Sequence, residues 1–140
     1  MIRRFITLLL FVYFFPNLLL AKSKYFEEGV NLFNKNKFED AKFKFEQDIV
    51  FNPKSETSYL YLSKIFNKLD KKILEEKNLN TVILLNPINE EAIYNLAKLK
   101  LSSSDYKKSK ELNKKLKSIC KKFCSKSDQL KNEIENLSKK

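Results

Sequence analysis

The sequence predicts an all-α chain in which three helix-turn-helix repeats stack in register and a C-terminal capping helix closes the stack. Three observations predict it. The phrases Ile49-Val50-Phe51-Asn52-Pro53 and Ile83-Leu84-Leu85-Asn86-Pro87 end in prolines 34 residues apart, and the same step separates three small residues, Gly29, Ser63 and Ala97. A period of this size marks a stacked array, because one short helical pair cannot bury its apolar face alone. The chain is otherwise rich in helix formers, with one Gly and no Asn-Gly or Asp-Gly pair of the kind that turns a β-hairpin.

Each element follows from that frame. The first repeat, about 22–55, carries helices expected over 23–34 and 38–51. The second, about 56–89, carries 56–69 and 72–84, and the third, about 90–123, carries 90–101 and 106–122. The prolines stop the second helix of a pair, since a proline lacks the backbone N–H and constrains the residue before it. In the third repeat Lys121 stands where the proline should be. Its second helix is nonetheless supported by Leu112, Leu116, Ile119 and Phe123 at helical spacing. Leu130, Ile134 and Leu137 form the narrow stripe of a last helix, expected over 127–137 with Ser127 as its N-cap and Asp128 in its first turn.

The quoted residues resemble the tetratricopeptide repeat (TPR) family, whose pattern runs aromatic, Leu-Gly, Tyr, then Ala-x₃-Phe, then Pro. Here the first unit reads Tyr25, Glu28-Gly29, Leu32, Ala41, Phe45, Pro53, and the second Tyr59, Leu62-Ser63, Phe66, Glu75, Leu79, Pro87. The third is weaker, with Ile93, Leu96-Ala97, Lys100, Ser109 and Asn113. Glu28, Glu75, Lys100 and Asn113 occupy places that the family fills with packing residues, so the repeats read as degenerate. The resemblance implies a TPR-like right-handed α-solenoid over residues 22–140. It also implies a concave groove, lined by the first helices of the units, that holds a peptide or a partner's helix. In the repeat frame that wall would be Phe26, Val30 and Phe33, then Leu60, Lys64 and Asn67, then Tyr94, Lys98 and Leu101. The alternative is that these aromatics simply pack between helices. The terminal-carboxylate clamp of chaperone-binding TPR domains does not carry over, because the matching places hold Phe26, Val30, Tyr61, Glu91 and Asn95, of which only Asn95 resembles a clamp residue.

Residues 1–21 differ in composition from the rest. Arg3 and Arg4 precede an apolar run from Phe5 to Phe15, broken by Pro16-Asn17 and resumed at Leu18-Leu19-Leu20 before Ala21. This is the plan of a secretory signal peptide cut after Ala21, with an uncleaved inner-membrane anchor over 5–21 as the alternative. No Cys follows the apolar run, so a lipoprotein signal is absent. Export, most simply to a bacterial periplasm, is therefore expected.

The net charge is +11, and apart from Arg3 and Arg4 every cation is Lys. The lysines concentrate on one helix, at Lys107, Lys108, Lys110, Lys114, Lys115 and Lys117, followed by Lys121 and Lys122. They form either a solvated face or a basic patch for an anionic membrane surface or acidic partner. Nucleic acid is not expected as a partner, since the helix offers neither Arg forks nor stacking aromatics. Self-association through an open end of the stack stays open.

Cys120 and Cys124 are the only cysteines. Export would place them in an oxidising compartment, where they form a disulfide at the junction with the capping helix if the preceding helix ends near Lys121, and stay free thiols if it runs on. The chain has no His, so a zinc site lacks ligands and acid–base catalysis lacks its usual group. One Gly cannot build a phosphate-cradling loop. No cofactor is expected, and the function left is binding: a non-catalytic protein-interaction module of the cell envelope. A basic envelope protein that docks through the helix 106–122 is the alternative.

Overall fold

The computed structural model describes residues 23–139, so the signal or anchor expected over 1–21 lies outside the described residues. Seven helices occupy the described chain: α1 Lys24–Asn34, α2 Phe38–Phe51, α3 Glu56–Lys68, α4 Lys72–Leu85, α5 Glu90–Ser102, α6 Tyr106–Ile119 and α7 Cys124–Leu137. They pack as the pairs α1/α2, α3/α4 and α5/α6, each pair rests on the next, and α7 covers α6 and part of α5. Among the described residues no helix is long and apolar enough to cross a membrane.

The 34-residue step governs the backbone. Among the described residues Asn36, Asp70 and Ser104, spaced by it, are the three non-glycine residues with positive φ, at 58°, 51° and 61°. Each sits in the turn inside a repeat, where a left-handed residue reverses the chain after the first helix. The third repeat is thus as regular as the others. Ser23, Asn89 and Asp105 cap α1, α5 and α6 by accepting the N–H of Phe26, Ala92 and Lys108.

The small residues of the frame are buried where two helices meet. A Cβ added to Gly29 would lie 2.8 Å from Cε1 of Phe45, which is itself wholly buried. The core has two parts. Phe26, Ala41, Phe45, Leu62, Ile65 and Phe66 fill the first repeat and its boundary with α3, and a larger cluster from Leu60 to Ile134 fills the rest. The buried carboxylate of Asp48 accepts from the hydroxyls of Ser23 and Ser58, tying α2 to the start of α1 and to α3.

The polar residues that make the repeats read as degenerate are paired across helices. Lys44 bonds Glu28 at 2.7 Å, Lys100 bonds Glu76 at 2.6 Å, and Asn67 donates to both carboxylate oxygens of buried Glu75 at 3.1 and 3.2 Å. Asn113 donates to the backbone oxygen of Ser127 (3.0 Å) and accepts from its hydroxyl (2.9 Å). A polar group at a packing position is tolerated because its hydrogen bonds are made.

Two expectations are corrected at the C-terminal junction. The helix expected over 106–122 ends at Ile119, and the last helix starts at Cys124, three residues before Ser127. Ser127 is therefore an interior, buried residue and not an N-cap. The break at 120–123 lets Cys120 and Cys124 bridge across a Cα separation of 5.3 Å. Glu90 completes the junction, accepting the backbone N–H of Lys121, Lys122 and Phe123 at 2.8, 2.9 and 2.8 Å. One repeat earlier, Glu56 accepts from the side chains of Asn86 and Asn89 at 3.1 and 3.2 Å. A glutamate opening α3 and another opening α5, the first helices of the second and third repeats, thus grip the turn that follows their repeat, by side chains where that turn has a proline and by backbone where it has a disulfide.

Candidate functional site

Inner helices at a 34-residue repeat leave a trough between their exposed faces. In α3 the positions facing it are Ser63, Lys64, Asn67 and Lys68; in α5 they are Glu91, Tyr94, Asn95, Lys98, Leu99 and Ser102. Phe33 closes one side from α1, while Asp70, Lys72 and Glu75 enter from the turn and first turn of α4. The resulting groove has a volume of about 620 Å³.

Of the residues expected on this wall, Phe33, Lys64, Asn67, Tyr94 and Lys98 come together. The others do not. Phe26 is buried edge-on against Phe45 and Tyr61, with ring centroids 5.8 and 5.7 Å apart, and Leu60 and Leu101 belong to the larger core cluster. Val30 is half-buried against the first cluster. Placing Leu101 on the wall errs by one residue, since Ser102 takes that role and one residue is about 100° of helical rotation. Glu91 and Asn95, which the sequence placed only at the carboxylate-clamp positions, lie on the face of Lys98 and Ser102 at steps of three and four residues. Lys72 and Glu75 carry no such signal, because they reach the groove from an outer helix.

The wall is polar with an aromatic group at either end. Phe33 packs edge-on against Tyr61 at 5.2 Å, and Tyr94 lies 5.6 Å from Phe123 with the Lys126 ammonium 5.4 Å above its ring. Between them Lys64 bonds Glu91 at 2.8 Å and lies 5.0 Å over the Tyr61 ring, and Lys98 reaches Glu133 of α7 at 2.6 Å. Burial pushes the Glu75 carboxyl above the usual glutamate range, against the pull of its Asn67 bond and of nearby Lys72. Lys64, Lys68, Lys72 and Lys98 stand on this wall beside Asp70, Glu75 and Glu91. The groove therefore presents hydrogen-bonding side chains along its floor, with Lys68 and Lys72 as exposed cations, and apolar rings at its ends. Among the described residues no three His, Cys, Asp or Glu side chains converge to hold a metal.

The lysines of α6 point elsewhere. Lys107, Lys110, Lys114 and Lys115 are exposed on the side opposite buried Ser109, Leu112 and Leu116, whereas Lys108 pairs with Glu111 and Lys117 with Asp128.

Solved structures share this architecture. The TPR2B domain of yeast Sti1 in its pHsp70 complex superposes with a TM-score of 0.75 at 18% identity, over 82% of this chain and 99% of that one. The fold is that of TPR domains. The Yersinia enterocolitica type III secretion chaperone SycD, in complex with a peptide of the translocator YopD, gives 0.74 at 14% identity over 84% and 93%. The first TPR of Spaghetti (RPAP3), bound to the HSP90 peptide SRMEEVD, gives 0.73 at 14% identity over 81% and 90%. No protein-family model matches the sequence. No curated protein matches it either.

Proposed function

We propose that the chain is a non-catalytic interaction module whose concave groove binds a peptide segment of a partner protein, with apolar side chains at its ends and acidic residues between. The observation that carries this reading is the groove itself: a concavity between inner helices, floored by lysines and asparagines and flanked by Phe33 and Tyr94. The similar folds of SycD and RPAP3 are described with bound peptides and that of Sti1 in a pHsp70 complex, which supports peptides as the ligand class. Its ligand would differ from a clamped terminal carboxylate, because Glu91 brings a negative charge to the wall.

We also read the module as exported, to a bacterial periplasm or held at the inner membrane by residues 5–21. The support is the basic start and apolar run of residues 1–21, together with the Cys120–Cys124 bridge, since disulfides persist in oxidising compartments.

A displayed random-peptide library panned against the full chain tests the groove. Enrichment of acidic peptides with aromatic or aliphatic anchors is expected, with binding lost in a Lys68→Glu, Lys72→Glu variant of unchanged helicity. These two lysines are exposed, so reversing them leaves the core intact. Recovery of the same peptides by the variant would remove the groove from consideration.

A further inference from the structure

The two edges of the stack differ. At one edge lie the turns inside the repeats, whose exposed residues are polar, Lys35 to Lys37, Asp70 and Lys71, and Ser103 to Asp105, with Ile73 exposed beside the second turn at the start of α4. At the other edge the outer helices end, the next inner helices begin, and the chain enters at Ser23. Contacts define this second edge: Tyr25 stacks on Phe51 at 5.4 Å, Glu56 bonds Asn86 and Asn89, and Glu90 bonds the backbone of residues 121–123.

This entry edge exposes large apolar side chains. Val50 is 74% exposed, Phe51 71%, Leu84 81% and Ile88 68%. Val50 and Leu84 stand one repeat apart, so they occupy equivalent places on neighbouring outer helices. Exposed lysines flank them in the turns, at Lys54, Lys121 and Lys122. The nearby acids Glu56 and Glu90 are occupied in holding those turns. Exposed apolar side chains gathered at one edge and flanked by cations mark an interaction surface, and this chemistry suits the boundary between acyl chains and anionic headgroups. What precedes Ser23 names the occupant. Residues 5–21 are the one strongly apolar stretch of the sequence, and the described chain begins at this edge, at Ser23.

We propose that the entry edge lies against a phospholipid surface containing anionic headgroups, with Val50, Phe51, Leu84 and Ile88 in the interface and Lys54, Lys121 and Lys122 among the headgroups. This surface is distinct from the groove, which lies on the inner helices and stays open to solvent when the molecule stands on its edge. It is also distinct from the exposed lysine face of α6.

The chain contains no tryptophan, so a single introduced one reports its own surroundings. Full-length Leu84→Trp and Ile88→Trp proteins would be mixed with phosphatidylglycerol vesicles containing brominated phosphatidylcholine. Ile73→Trp, 85% exposed at the opposite edge, is the control. Interfacial side chains sit ~5–10 Å into the headgroup and acyl boundary, so about twofold or greater quenching and a blue shift are expected at positions 84 and 88. The emission of Ile73→Trp stays unchanged. A domain that merely hung from residues 5–21 would leave all three unquenched, and equal quenching of all three would show no preferred edge; either result overturns the proposal. A blue shift of Leu84→Trp without lipid, growing with protein concentration, would assign the edge to a second copy of the chain and overturn it as well. Circular dichroism of each variant checks that these surface replacements leave the fold intact.

Discussion

Gly29→Ala sets two effects of opposite sign against each other. Gly29 lies inside α1 with an ordinary helical backbone, so propensity alone predicts that alanine stabilises the protein by about 1 kcal/mol. Packing predicts the reverse. The new Cβ would fall 2.8 Å from Cε1 and 3.0 Å from Cδ1 and Cζ of Phe45. That ring has little room to retreat, being stacked on Tyr61 at a centroid distance of 4.8 Å and met edge-on by Phe26. Overpacking a filled core costs about 1–3 kcal/mol, and a ring held on two sides places this site in the upper half of that range. The net expectation is a loss of about 1–2 kcal/mol, at about 4 °C in Tm per kcal/mol for a domain of this size. Urea unfolding followed by circular dichroism gives the difference directly. Phe45→Leu in the same background should relieve the contact, so the double mutant should be more stable than the sum of the single effects. A Gly29→Ala protein about 1 kcal/mol more stable than wild type would refute the close-approach argument.

Three further outcomes follow from the junction and the groove. Breaking the Cys120–Cys124 bridge by Cys→Ser at both positions should cost about 2 kcal/mol, the chain-entropy value for a loop of roughly five residues, and reductant should lower the wild-type urea midpoint similarly. Glu90 pays for partial desolvation but is held below the usual glutamate range by the N–H groups of Phe123, Lys121 and Lys122 and by the Lys121 charge. Its contribution is therefore present above the unfolded value of ~4.3 and lost as pH falls through the lower folded one. Hydrogen exchange at amides 121–123 should accelerate in Glu90→Ala, and the acid-side loss of Tm should shrink in Glu90→Gln. Glu75 has the opposite sign: burial raises its folded pKa, so its ionised form weakens the fold as pH rises through that value. Glu75→Gln should raise Tm at pH 7, with the gain vanishing near pH 4; an equal gain at both pH values would show that ionisation is not the cause.

The sequence legibly carried what depends on local chemistry repeated at a fixed interval. Proline after a helix, a small residue at a helix crossing and apolar residues at helical spacing each act within a few residues, and a period of 34 multiplies the signal. Helix boundaries at Phe38–Phe51 and the starts at Glu56, Lys72, Glu90 and Tyr106 follow from it. The groove was partly legible for the same reason, since Lys64, Asn67, Tyr94 and Lys98 lie on one face of their helices.

Tertiary structure decided what depends on partners at no fixed spacing. Glu28, Glu75, Lys100 and Asn113 read as decay of the repeat because sequence does not reveal that Lys44, Asn67, Glu76 and Ser127 meet them. The end of α6 depended on the carboxylate of Glu90, 31 residues before the amide of Lys121 that it first binds. Whether Phe26 faces a groove or a core was settled by the rings of Phe45 and Tyr61, brought by two other helices. The amino-acid sequence by itself determined the helices, their pairing and their number of repeats, because a backbone's preferences are local. Only the packed structure decided which side chains are left at the groove and which apolar ones are left at the entry edge. Burial is a property of all the neighbours at once, and most of those neighbours are distant in the chain.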